Sequence, residues 1–103
     1  MKQSRSVIET PVAGDYIGKL CRHFRHKIEA FYTADRGEAI FPAGRCDMQA
    51  QPNQLIFEIE ATDHDGLEKI KGVLVRHLLK FAHRENLVIE WQDKDAPDAP
   101  PAT

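Results

Sequence analysis

Residues 44–61, GRCDMQAQPNQLIFEIEA, decide the fold. Cys46, Met48 and Ala50 alternate with Arg45, Asp47 and Gln49. After Gln51-Pro52-Asn53, Leu55, Phe57, Ile59 and Ala61 alternate with Ile56, Glu58 and Glu60. A period of two sends successive side chains to opposite faces, and proline and asparagine between two such runs supply a turn. The stretch therefore predicts two antiparallel strands with one apolar face and one largely wet face.

Toward the N-terminus, the turn residues Asp35-Arg36-Gly37 and Pro42-Ala43-Gly44 divide the preceding segment into two more strands, so Ile28 to Ala61 is a four-strand meander. Before it the period lengthens. Tyr16, Ile17, Leu20, Cys21, Phe24 and Ile28 follow three-four spacing, the buried stripe of a helix centred near Phe24. Thr10 is its expected N-cap and Pro11 its first helical position, after a short extended stretch at Val7 and Ile8.

Beyond the meander, Thr62 or Asp63 caps a second helix, with an acid three residues after Thr62. Its stripe is Leu67, Ile70, Val73, Leu74, Leu78 and Phe81, and it is expected to end near Arg84 or Glu85. Leu87 to Trp91 then reads as a closing strand. The order is β-α-β-β-β-β-α-β, and two amphipathic helices bury their stripes most simply on one face of a mainly antiparallel sheet. The expected fold is an α+β two-layer sandwich.

One such domain accounts for residues 1–92. Residues 93–103 carry Asp93, Asp95, Asp98, Pro97, Pro100 and Pro101 without a large apolar residue, the composition of a disordered tail. The chain has 103 residues, 42% hydrophobic and 29% charged, which leaves room for one core and no second lobe. Fourteen basic and sixteen acidic residues give a net charge of −2, so no global field favours nucleic acid or an anionic membrane. No apolar run has the length of a signal peptide or membrane span, and the expected location is the cytoplasm. In that setting Cys21 and Cys46 are expected as free thiols.

The segments Leu20-Cys21-Arg22-His23-Phe24-Arg25-His26-Lys27, Gly44-Arg45-Cys46, His77-Leu78-Leu79-Lys80-Phe81 and Leu87-Val88-Ile89-Glu90-Trp91 occur in that order. Together they resemble the bacterial family called domain of unknown function 2218, over roughly Ser6 to Trp91. The resemblance implies no reaction, no cofactor and no catalytic residue. It does imply a genomic context, since members tend to lie beside siderophore-interacting flavin reductases. The partners it suggests are such a reductase or an anionic ferric siderophore.

Site chemistry has to come from the residues. The first helix sets Lys19, Arg22, Arg25 and Lys27, with His23 and His26, against the single acid Asp15, a net +3 from Pro11 to Ile28 with histidines neutral. An anionic ligand or partner would fit that face; the plainer reading is a solvated helix face. A second candidate is the thiol and imidazole set Cys21, Cys46 and His77, whose donors suit zinc or iron and which project into the same layer from the margin of the first stripe, the apolar side of a strand and the second stripe. His23 and His26, three apart, could share an ion, whereas Cys21 and His23 lie about 160° apart on the helical wheel. The plainer reading makes both cysteines small buried hydrophobes and His77 a hydrogen-bonded core residue. The same thiols are the candidate nucleophiles if the protein is an enzyme. Edge strands of an open sheet also permit a homodimer.

Overall fold

The computed structural model describes residues 1–83 and 85–95. Its elements are β1 (Lys2–Glu9), α1 (Ala13–Phe24), β2 (Glu29–Tyr32), β3 (Arg36–Phe41), β4 (Gly44–Gln51), β5 (Gln54–Ala61), α2 (His64–Phe81) and β6 (Gln92–Asp95). The strands form one sheet in the order β2-β3-β4-β5-β1-β6, every neighbouring pair antiparallel. This is the expected α+β sandwich with its four-strand meander, although the first turn falls at Thr33 to Asp35, and Arg36 and Gly37, expected in it, already pair as β3.

Registry between β4 and β5 follows from alternation. Cys46 pairs with Ile59 and Met48 with Phe57, so apolar meets apolar, while Asp47 pairs with Glu58 on the other face. Ile8, Ala39, Cys46, Leu55 and Phe57 are fully buried beneath the helices, together with Ile17 and Leu20 of α1 and Leu74 and Leu78 of α2. Helix α1 lies closely over β3 at Gly37, where an added β-carbon would come within 2.7 Å of the Ile17 side chain.

Three helix boundaries depart from the expectation. Helix α1 begins at Ala13, not at Pro11, and Thr10 does not occupy its N-cap position; instead its Oγ1 accepts a bond from the Val12 amide at 3.3 Å and donates to Glu85 at 3.1 Å. The helix stops at Phe24 rather than Ile28, because the amides of His26 and Lys27 turn back to the carbonyls of His23 and Phe24, and Arg25 Nε donates to Ala30 O at 2.9 Å. Asp63, one of the two expected caps, begins α2 by accepting from the Gly66 amide at 2.7 Å, and that helix ends at Phe81 rather than near Arg84 or Glu85. Its far end gives way to a turn whose Glu85 side chain is drawn to Thr10 and Tyr16. Arg84 lies outside the described residues.

The last strand moves furthest. Leu87, Ile89 and Trp91 turn toward the core while Val88 and Glu90 are exposed, so the expected alternation is present, but that segment is not the strand. Hydrogen-bonded pairing with β1 begins at Gln92, facing Arg5, and runs to Asp95, facing Lys2. A boundary after residue 92 therefore falls inside β6. Residues 96–103 of the expected tail lie outside the described residues.

Candidate functional site

The basic face of α1 splits around the helix. Lys19, Arg22 and Arg25 turn toward the β2–β3 edge, where Tyr32 at the end of β2 lies between helix and solvent. The Arg25 guanidinium carbon is 4.9 Å from the Tyr32 ring centroid and that of Arg22 is 5.8 Å away. Arg22 Nη1 approaches the Tyr32 hydroxyl at 3.5 Å. Two guanidinium groups therefore lean on one aromatic ring, each exposed contact contributing about 0.5–1 kcal/mol.

Two glycines open the space beside them. A β-carbon at Gly14 would come within 2.6 Å of the Ala34 carbonyl oxygen, and one at Gly18 would meet Arg22 Nη1 at 3.1 Å. The resulting hollow of about 320 Å³ is lined by Gly14, Gly18, Lys19, Arg22 and Tyr32, with Asp15, Thr33 and Ala34 at its border. Lys19 and Arg22 face a single carboxylate there. Larger hollows of about 480 and 590 Å³ lie on the helix-free face of the sheet, and one of about 670 Å³ lies beside the β4–β5 turn, where Glu9 is its charged residue. The charged residues on the helix-free face are mixed: the row across β1, β5, β4 and β3 reads Arg5, Glu58, Asp47, Glu38. Size favours these hollows and unbalanced positive charge favours the α1 groove; for an anion, charge decides.

His23 belongs to the other flank, beside α2. Its ring centroid is 4.5 Å from that of His77, 6.4 Å from that of His26, and 6.1 Å from the rings of Phe24 and Phe81. Burial, followed by the proximity of His77, Lys80, His26 and Lys27, holds the His23 pKa below the ordinary imidazole value. His77 was expected deep in the α2 stripe. It is half-buried, with Nδ1 donating to the Val73 carbonyl at 2.7 Å.

Cys21 and Cys46 are fully buried and unbridged. Their Sγ atoms lie 3.6 Å from the carbonyl oxygens of Phe31 and Asp47. Burial pushes both thiols up, Cys46 the more strongly with Asp47 adding to it, which is opposite to the lowered pKa of a nucleophilic or metal-binding thiolate. Among the described residues no three histidines, cysteines or acids gather into a group able to hold a metal ion, so Cys21, Cys46 and His77 do not meet as one ligand set.

Sequence reasoning missed Lys71. It lies inside α2 at 8% exposure, its Nζ 2.6 Å from Asp93 of β6, 2.8 Å from Glu68, and 5.8 Å from the Trp91 ring centroid. Ser4 of β1 donates to the same Asp93 carboxylate at 2.6 Å. Burial alone would pull the Lys71 ammonium down; the bonds to Asp93 and Glu68 outweigh it and raise the pKa. Asp93 is lowered by the Lys71 bond first and the Ser4 bond second. The available signal was two serines on the inward face of β1, an unusual composition for a core.

Among the described residues no helix is long and apolar enough to cross a membrane. Residues 5–92 match the family described as an uncharacterized protein conserved in bacteria, DUF2218. The chain is also similar to the NMR structure of PA4090 from Pseudomonas aeruginosa, at 34% identity and a TM-score of 0.77, covering 89% of this chain and 96% of that one. No curated protein matches it.

Proposed function

The chain belongs to the bacterial DUF2218 family, and from the charge of its α1 groove we propose that it is a small accessory module that binds an anion bearing several oxygen donors. The observation that carries this reading is the convergence of Lys19, Arg22 and Arg25 on the Tyr32 edge beside a hollow bordered by one acid. Guanidinium groups present paired donors to carboxylate or catecholate oxygens, and an aromatic floor holds them in place. The genomic context implied by the family resemblance supplies a fitting class, ferric siderophores with carboxylate or catecholate donors, and an acidic surface of a neighbouring flavin reductase has the same charge. A hollow of about 320 Å³ suits one arm of such a complex rather than the whole.

The test is titration with ferric citrate and with a ferric tris-catecholate, at low and high salt, in wild type and in the Arg22→Glu, Arg25→Glu double variant. The reading expects binding that weakens at least tenfold in the variant and falls with salt. Affinity unmoved by both changes overturns it. Binding of the purified reductase but of neither iron complex would assign the groove to a protein partner.

A further inference from the structure

Outside the groove, the junction of the two helices holds a second set of ligand-forming groups. We infer that His23 and His77 form a two-imidazole site for a borderline divalent transition-metal ion, with Cu²⁺ held most tightly. His23 comes from the last turn of α1 and His77 from the C-terminal half of α2, so the site exists only where the helices pack. Their ring centroids are 4.5 Å apart, with the planes tilted by 44°. An ion about 2 Å from one nitrogen of each ring places two imidazoles in a cis relation at about this separation.

Two features leave lone pairs available. The Val73 carbonyl can only accept, so His77 Nδ1 carries the proton of that 2.7 Å bond, and in the neutral tautomer the lone pair lies on Nε2. Metal-binding histidines are held in this way, one nitrogen donating to a carbonyl while the other faces the ion. His23 is exposed, so ions in solution reach its ring, and either nitrogen of the neutral form can be presented beside His77.

The surroundings also select the ion. The rings around His23 are those of His77, His26, Phe24 and Phe81, and Lys27 and Lys80 stand close enough to act on it. Calcium and magnesium, which require several oxygen ligands, are offered imidazole nitrogen instead. A cation approaching Lys27 and Lys80 binds only if its bonds to neutral nitrogen are strong, and along the divalent series that strength peaks at copper. Two protein nitrogens leave the other coordination positions to water, in keeping with the absence of a three-residue metal group among the described residues. Both thiols are sealed in the core and do not compete.

The experiment is calorimetric titration of Cu²⁺, Ni²⁺, Zn²⁺ and Mg²⁺ into chelator-treated wild type, His23→Ala and His77→Ala, with circular dichroism confirming each fold. His23 is exposed, so His23→Ala tests the site even if His77→Ala does not fold. Expected are one Cu²⁺ per chain at micromolar or better affinity, weaker Ni²⁺ and Zn²⁺, no Mg²⁺, and at least tenfold loss of Cu²⁺ affinity in His23→Ala. Electron paramagnetic resonance of the copper complex should show two imidazole nitrogens, and binding should fade below about pH 6, where free imidazole protonates. Absence of saturable Cu²⁺ binding overturns the assignment, as does undiminished binding in His23→Ala. The Arg22→Glu, Arg25→Glu variant should bind copper as wild type does, which separates this site from the anion groove.

Discussion

At the β6 edge of the sheet Lys71 lies at 8% exposure, its ammonium shared by Asp93 and Glu68 and its approach bounded by Trp91. At the opposite, β2 edge, Arg22 and Arg25 are exposed and rest on Tyr32. Both edges are tied to a helix by cations, but only the Lys71 side chain is withdrawn from water, while both arginines stand in it. A buried cation that loses its partner keeps its desolvation cost, whereas an exposed one is rehydrated. The β6 tie is therefore structural, and the β2 cations retain donors that a ligand can use.

The largest effect is expected at the buried tie. Lys71→Ala should cost about 2–3 kcal/mol in urea unfolding, because Asp93 and Ser4 lose the charge they converge on and the helix loses packing against Trp91. Lys71→Met, which keeps the stem, should recover part of it. If Lys71→Ala unfolds like wild type, the two edges do not differ in the way described.

Asp93→Asn should follow with a loss of about 1 kcal/mol at neutral pH, since Asp93 is half-exposed. Its pKa is lowered in the folded chain, so its contribution is complete above the unfolded value of about 3.9 and disappears as pH falls through the lower folded value. The variant should accordingly lose less stability than wild type between pH 4 and pH 2, an interval read by acid titration of the melting temperature (about 2 units wide). An identical acid limb in both proteins would remove Asp93 from the tie.

At the β2 edge, Arg25→Ala should cost only about 0.5–1 kcal/mol, for one ring contact and the bond to Ala30 O. A loss as large as that of Lys71→Ala would make the arginine structural and weaken the case for a binding groove.

The smallest effect belongs to His23. Its pKa is lowered on folding, so protons bind the unfolded chain more readily, and stability falls as pH drops through about 6.5. His23→Ala should flatten the stability profile between about pH 7 and pH 5 without altering the plateau above it. Retention of the full slope in the variant would place the titrating group elsewhere.

These contrasts also separate what could be read in the chain from what could not. A period of two from Arg45 to Ala61 and three-four spacing at Tyr16–Phe24 and Leu67–Leu78 each concern one element and its own faces, and burial agrees with them: Cys46, Met48, Leu55 and Phe57 face inward, as do Ile17, Leu20, Leu74 and Leu78. Turn residues at Pro42-Ala43 and Pro52-Asn53 placed the hairpins because local backbone preference is a property of those residues alone. The six basic residues from Lys19 to Lys27 were likewise legible as a charged surface, although Arg25, His26 and Lys27 lie in the turn beyond α1.

Their division was not. Whether Arg22 meets Tyr32 and His23 meets His77 depends on how α1 lies between β2 and α2, partners ten residues away in one case and over fifty in the other. Lys71 reads as a polar position within its helix and becomes buried only because Asp93 and Glu68 neutralise it in place. The same holds for the last strand. Alternation from Leu87 to Trp91 determined which side chains face the core, but backbone pairing with β1 is a long-range choice of register, and Ser4 and Lys71 settle it by holding Asp93. Sequence periodicity by itself determined which face each element buries; the tertiary structure decided which charged groups meet across elements, because a charge enters the interior only where a distant partner compensates its lost hydration.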